Sequence, residues 1–281
     1  MRVLVTGAAG QLGVDLVRRC EASGDSVVAT DRSSLDITDR DAVLAAVTTT
    51  RPDAIINCAA WTAVDACEAD PARALRANAL AVRYLAEAGR RVGAHLVQVS
   101  TDYVFDGTLD RPYHEWDRTN PQSSYGASKL AGEHEAGPEA AIVRTSWVCG
   151  EHGANMVKTV LRLSVEPRRL AFVDDQRGCP TFTSDLATVL RRIALDRRSG
   201  VHHVTNAGAV SWFEFVKEIL IAAGRDPSLV EPIATAELDP PRPAPRPANS
   251  VLDNAVLRAG GIGELRDFRE PLAEVVAALL G

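Results

Sequence analysis

The chain of 281 residues has no apolar run near the roughly 20 positions that a bilayer-spanning helix needs. Its opening, MRVLVTGAAG, breaks into threonine and glycine after three apolar residues, too short for the apolar centre of a secretory signal. The five cysteines, Cys20, Cys58, Cys67, Cys149 and Cys179, form no CxxC pair, so scattered reduced thiols and a cytoplasmic location are expected. The six histidines show no metal-ligand spacing; His202 and His203 are neighbours, and on a strand they point to opposite faces. No dense basic run exists, and 31 basic against 37 acidic residues leave a net charge of −6. That balance excludes a nucleic-acid or anionic-membrane surface, since phosphate backbones demand clustered Lys and Arg. There is neither an internal repeat nor a low-complexity tail.

What is present suits one large domain or two closely joined ones, with 46% apolar residues to build a core. RVLVT, SVVAT, DAIINCAA, AHLVQVS and AAIVRTS read as strands with β-branched or continuous apolar character. Between them lie helical patterns: QLGVDLVRRCEASG, DRDAVLAAVTTT, and Ser123 to Glu135. A longer helix opens at Asp70-Pro71, an N-cap with a first-turn proline, and runs to about Val92. Such alternation implies a parallel sheet covered on both faces. Past residue 150 the pattern loosens. Helices are expected near Asn155–Val165, Ser184–Leu195 and Trp212–Ala223, the last with a capping box of Ser211 and Glu214, and GVHHVTN reads as a strand. DPPRPAPRPANS packs five prolines between Pro240 and Pro247. It reads either as a stiff surface loop or as a lid presenting Arg242 and Arg246 to an anionic ligand.

The first chemistry-bearing motif is TGAAGQLG. Gly7, Gly10 and Gly13 follow the first strand and open the first helix, spaced GxxGxxG rather than GxGxxG. A tight turn there brings backbone against a pyrophosphate and points a helix N-terminus at its charge. Asp31 closes the second strand 18 residues after Gly13, where a carboxylate binds ribose hydroxyls. Asp31 favours NADH; Arg32 beside it favours the 2′-phosphate of NADPH, and both cofactors stay open.

The second motif couples VSTD with YGASK. Reducing a ketone needs a hydride donor, a group on the carbonyl oxygen and a proton donor. Tyr125 and Lys129, at i and i+4, stand on one helix face. A lysine ammonium lowers a tyrosine's high pKa, and Thr101, at the carboxyl end of the fourth strand, can hydrogen-bond the carbonyl.

The order TGAAGQLG, NCAAWTAVD, STDYVF, YGASK resembles the extended short-chain dehydrogenase/reductase superfamily. AAWTAVDACE, STDYVFDG, PQSSYGASKLAGE, RTSWVCG, DDQRGCPTFTSDLA and RPANSVLD resemble its dTDP-4-dehydrorhamnose reductase (RmlD-like) branch, from residue 1 to about 280. The resemblance implies a Rossmann-type doubly wound parallel α/β sheet over residues 1–150. Residues 151–281 would form a smaller, mainly substrate-binding α/β region, some segments of which return to the first. It implies NAD(P)H-dependent reduction of the C4 ketone of a dTDP-linked 6-deoxyhexose to dTDP-L-rhamnose, by a monomer or homodimer. Thr101, Tyr125 and Lys129 match the catalytic trio, with Asp102 assisting. The dinucleotide is expected on Gly7, Gly10, Gln11, Leu12 and Gly13, on Asp31, Arg32, Asp36 and Ile37, and on Cys58, Ala59, Ala60 and Thr62, reaching Tyr125 and Lys129. The sugar nucleotide is expected at Val64, Thr101, Asp102, Trp147, Arg177 and Arg246.

Alternatives stand beside several of these roles. Trp147 packs either beside the sugar or in the core, and Arg177 meets either the diphosphate or Asp174 or Asp175. Some members of the branch hold Mg²⁺ through glutamates at a dimer interface; Asp15 stands at the first such position, so no metal is predicted. Related 4,6-dehydratases carry Glu after Thr-Asp, where this chain has Tyr103, which disfavours dehydration. Epimerases share the trio but not the flanking motifs. A non-catalytic regulatory subunit, like that of methionine adenosyltransferase, shares the fold; the intact trio favours an enzyme.

Overall fold

The computed structural model describes residues 1–165 and 169–281. Its centre is a six-stranded parallel sheet of β1 (Arg2–Thr6), β2 (Ser26–Thr30), β3 (Ala54–Asn57), β4 (His95–Thr101), β5 (Ala141–Thr145) and β10 (Gly200–His203), in the order β10-β5-β4-β3-β1-β2. Because β1 and β3 carry consecutive buried residues, such as Val3, Leu4 and Val5, neither face of the sheet can meet water. On one face, Leu12, Leu16 and Cys20 of α1 (Gln11–Ala22) join Leu186, Leu190 and Ile193 of α8 (Thr183–Leu195). On the other, Val43 and Val47 of α2 (Arg40–Thr50) meet Leu85 and Ala86 of α5 (Ala81–Val92). The connections reverse direction between β1 and β3, which opens a crevice at the carboxyl ends of the strands.

The helix expected from Pro71 to Val92 is interrupted. α4 (Pro71–Leu75) leads through a π-turn, Arg76–Leu80, into α5. A π-turn adds a residue to the helical circuit and re-aims the side chains around it. Here it turns Asn78 inward, where its side chain accepts from Trp61 N (2.8 Å) and donates to Trp61 O (3.1 Å) and Ser128 Oγ (3.0 Å). Ser128 belongs to α6 (Ser124–Ala136), and a Cβ at Gly132 of that helix would collide with the Asn78 carbonyl.

A second apolar cluster gathers residues of later elements: Val157 and Val160 of α7 (Met156–Leu163), Phe215 and Ile219 of α9 (Trp212–Ala222), and Leu272 and Val276 of α11 (Arg269–Leu280). β7 (Leu170–Val173) and β12 (Val230–Ile233) pair in parallel beside it. Two shorter pairs join β6 (Val148–Cys149) to β9 (Thr181–Phe182), and β8 (Arg177–Gly178) to β11 (Val210–Ser211). Ser211 and Glu214 form the expected capping box at the start of α9. α8 and β10, although late in the chain, pack on and extend the central sheet. No helix among the described residues is long and apolar enough to cross a membrane.

Candidate active site

The turn after β1 is shaped by glycines that no other residue can replace. Gly7 has φ +69°, and a Cβ there would lie 2.7 Å from Ala59 N, while one at Gly13 would collide with the Gly7 carbonyl. With these side chains absent, the turn borders a cleft of about 710 Å³. Gly7, Gly10, Asp31, Arg32, Asp36, Ile37, Cys58, Ala59 and Ala60 all line it, as the sequence predicts. This cradle fits a dinucleotide.

Three residues of the same motif are placed differently. Leu12 sits in the core, Gly13 packs under the turn, and Gln11 donates to Val148 O (2.9 Å) and accepts from Asn155 (2.6 Å). Leu12 and Gln11 hold α1 against the fold with their side chains, and what this turn offers the cleft is the backbone at the N-terminus of α1. Thr62 is exposed and also lies outside the cleft lining. Burial pushes the Cys58 thiol up to about 12, which makes it inert.

The reactive groups stand at the end of β4. Thr101 caps a 3₁₀ turn over Asp102–Val104, accepting from Tyr103 N at 3.2 Å, and its hydroxyl donates to Asp102 Oδ1 at 3.0 Å. Ser123 caps α6 and places Tyr125 in its first turn, packed on Tyr103 edge to face. Lys129 follows one turn later and donates to Val99 O at 2.6 Å. All three of Thr101, Tyr125 and Lys129 are buried. The approach is close because a Cβ at Gly126 would collide with Tyr103 O. Val64, the first residue of α3 (Val64–Ala69), packs with Trp61 and Tyr103 against the cluster of Tyr125, Cys67 and Ala74.

The electrostatics correct one expectation. Burial pushes the Tyr125 hydroxyl above its ordinary value, and Thr101, rather than Lys129, is the leading group pulling it down. Lys129 directs its ammonium at the Val99 carbonyl, and burial pulls it down to about 8, with Glu133 acting the other way. Lys129 is neutral in both folded and unfolded chain above its ordinary 10.5. Its contribution to stability is therefore complete there, and is lost as pH falls through about 8, where the folded chain must hold a buried ammonium. Lys129→Met is thus expected to stabilise the chain at pH 7 by about 2 kcal/mol, an advantage that fades as pH approaches 10.5. Thermal melts across that pH range check this; a lower Tm at pH 7 contradicts it.

Asp102 is buried, and that burial pushes its carboxyl up to about 6 against the hydroxyls of Ser250 and Thr101. Its Oδ2 has no hydrogen-bond partner among the described residues. Tyr103 meets Tyr125 edge to face, with ring centroids 5.6 Å apart. Arg246 stands beside Tyr103, and its guanidinium grips Asp65 of α3 at 2.5 and 2.8 Å. Ala244 N also donates to Asp65, and Arg242 lies 3.6 Å away. The proline-rich segment is therefore docked by its arginines onto α3, beside the reactive tyrosine. At its far end a Cβ on Gly107 would lie 2.7 Å from Pro247.

Trp147 holds a left-handed backbone (φ +46°) and stacks on Trp212, centroids 3.6 Å apart. A Cβ at Gly178 would lie 2.7 Å from its indole nitrogen, so the ring is clamped between the Gly178 backbone and Trp212. Arg177 pairs with neither Asp174 nor Asp175. It meets Glu214 at 3.2 Å, because Asp174 is bonded to Ser211 and Asp175 to Thr235. Asp15 accepts from the Thr183 hydroxyl, and no group of three metal-ligating side chains occurs among the described residues. Asn78, Asp65 and Ser250 enter the surroundings of the trio without having been singled out in the sequence.

A glycine cradle at the switch point of a doubly wound sheet, with a buried Thr-Tyr-Lys trio at the strand ends, defines an extended short-chain dehydrogenase/reductase that binds NAD(P). More narrowly, the chain belongs to the RmlD family: the RmlD substrate binding domain matches residues 1–280. It is 44% identical to a dTDP-4-dehydrorhamnose reductase of Streptomyces griseus, covering 100% of this chain and 94% of that one. It is also 44% identical to a probable dTDP-4,6-dihydroxy-2-methyloxan-3-one 4-ketoreductase of Streptomyces antibioticus, covering 100% and 96%. The crystal structure of dTDP-4-dehydrorhamnose reductase from Bacillus anthracis in complex with NADP superposes with a TM-score of 0.93 at 37% identity, over 99% of both chains.

Proposed function

We infer that the chain reduces the C4 ketone of dTDP-4-dehydro-6-deoxy-L-mannose to dTDP-L-rhamnose with NADPH or NADH. The observation that carries the reading is the buried Tyr125, packed with Trp61 of the dinucleotide cleft and one helical turn from the Lys129 ammonium, beside the strand end that carries Thr101. When bound, the nicotinamide supplies the hydride for C4. The glycine turn leaves room for the pyrophosphate against the N-terminus of α1, whose first-turn backbone N–H groups seat it. Once the sugar is bound, the single Thr101 O–H turns from Asp102 to the ketone oxygen and polarises it. As C4 accepts the hydride, that oxygen becomes an alkoxide and takes the proton of the Tyr125 hydroxyl, leaving a tyrosinate. The Lys129 ammonium stabilises the tyrosinate until a solvent proton restores it. Until the sugar is bound, Asp102 accepts from the Thr101 hydroxyl and so orients it.

The sugar nucleotide is assigned to Val64, Thr101 and Trp147. Arg246 and Arg177 supply the positive charge for its diphosphate. Tyr103 stands where a dehydratase needs glutamate, which supports reduction over elimination.

Purified protein should oxidise NADPH or NADH when dTDP-4-dehydro-L-rhamnose is added. Absence of turnover with dinucleotide still bound would refute the reductase and favour a regulatory subunit. The equal identity to the S. antibioticus ketoreductase supports a second reading, reduction of another dTDP-4-keto-6-deoxysugar. A substrate panel separates the two by kcat/KM.

A further inference from the structure

We propose that Trp212 is a positioning residue for the sugar: by stacking on Trp147 it fixes how that indole meets the hexose, and it acts on the substrate through Trp147 alone. This rests on the assignment of Trp147 to the sugar above. β5 lies beside β4 with Thr145 in register with Thr101, so the chain reaches Trp147 just beyond the strand edge that carries the trio. There Trp147 adopts φ +46°, a conformation that a bulky residue holds only where its surroundings over-determine it.

Those surroundings are two jaws carried by one ribbon. β8 and β11 pair antiparallel, with Gly178 opposite Val210 and Arg177 opposite Ser211. Gly178 presses on the Trp147 ring, where a Cβ would lie 2.6 Å from Cε2. Ser211 caps α9 and so sets Trp212 as its first residue, whose indole stacks on that of Trp147 with 8° between the planes. Both indoles also lean on Phe215 of the same helix, with centroids 6.3 and 6.2 Å away. With its faces taken, the half-buried Trp147 offers a ligand its edge, the electropositive rim of the aromatic quadrupole. An edge is a wall that selects a sugar by shape, not a platform on which the sugar stacks. A wall discriminates when it is held still before the ligand arrives, and Trp212 and Gly178 hold this one. Arg177 stands on the same ribbon, so one element sets both the wall and the charge assigned to the diphosphate.

Trp212→Leu removes the stack, and Gly178→Ala displaces the Trp147 ring without touching α9. Each should raise KM for dTDP-4-dehydro-L-rhamnose by about two- to tenfold, the worth of one aromatic pair or of one side chain ordered on binding. kcat should stay within about twofold, because Thr101, Tyr125 and Lys129 are untouched. Affinity for dTDP, which lacks the hexose, should not change when measured by isothermal titration. Trp212→Leu should also lose the circular-dichroism couplet of stacked indoles. Trp212→Tyr, which keeps an aromatic face, should recover most of the KM without restoring that couplet. An unchanged KM in either folded variant, or a loss carried by kcat or by dTDP affinity instead, overturns the positioning role. Trp147→Ala with an unchanged KM overturns the assignment of Trp147 to the sugar, and absence of turnover in the unsubstituted chain overturns the reductase reading itself.

Discussion

Tyr125→Phe is expected to lower kcat by roughly two to four orders of magnitude, the range set by loss of a positioned proton donor, while dinucleotide affinity stays unchanged. The phenylalanine ring keeps the packing on Cys67, Val64 and Tyr103, and α6 keeps its close approach at Gly126. Only the hydroxyl is lost, and the Thr101 hydroxyl still donates to Asp102. Burial holds the Tyr125 hydroxyl protonated well beyond neutral pH, which suits the direction of the chemistry. A reduction needs the tyrosine as an acid, and the cost of burial falls on the tyrosinate left behind. That is where the nearby ammonium of Lys129 is required, so Lys129→Met should lose activity although it gains stability. Single-turnover rates with bound NADPH, alongside a dinucleotide titration, test Tyr125→Phe. A rate near that of the unsubstituted protein would remove Tyr125 as the proton donor.

The parts of this site that can be read from sequence are those built by local rules. Gly7 is legible because a tight turn between a strand and a helix demands positive φ, and Tyr125 and Lys129 because i and i+4 share a helix face. The alternation of strands and helices reveals the parallel sheet for the same reason. The placement of Leu12 and Gly13 is less legible: the motif marks the whole turn, but which of its residues face the ligand depends on the orientation of α1. The π-turn is hidden, since ARALRANALA has an ordinary helical pattern and only the contacts of Asn78 with Trp61 and Ser128 reveal the change. The docking of Arg246 on Asp65 spans 181 residues, beyond the reach of any spacing argument. The partner of Arg177 is Glu214 rather than the adjacent aspartates for a related reason. Asp174 and Asp175 find hydroxyls on Ser211 and Thr235, neighbours that only the folded chain supplies.

The buried pair that ties α6 to the sheet should have the largest effect on stability when removed. Glu133 and Arg144 of β5 meet through two guanidinium nitrogens, at 2.9 and 2.7 Å, with both side chains only 5% exposed. Ser100 of β4 donates to the same carboxylate at 2.6 Å, and the guanidinium also lies over the Phe105 ring. Glu133→Ala strands a buried cation and is expected to destabilise the chain by about 3–5 kcal/mol. In a chain of this size that lowers Tm by on the order of 10 °C. Glu133→Leu/Arg144→Met, which removes both charges, should lose less than Glu133→Ala alone, because the cost lies in the unpaired charge. A double variant as unstable as the single one would show that shape, not charge, is what matters there. The catalytic consequence separates differently. Glu133 holds the Lys129 pKa up, so both variants should let it fall below about 8. The ammonium that stabilises the tyrosinate is then lost at lower pH, and turnover should decline earlier on the alkaline side in both. Only the single variant should also melt early. A pH–rate profile that does not move in either would remove Glu133 from any influence on the reacting groups and leave it a purely structural tie.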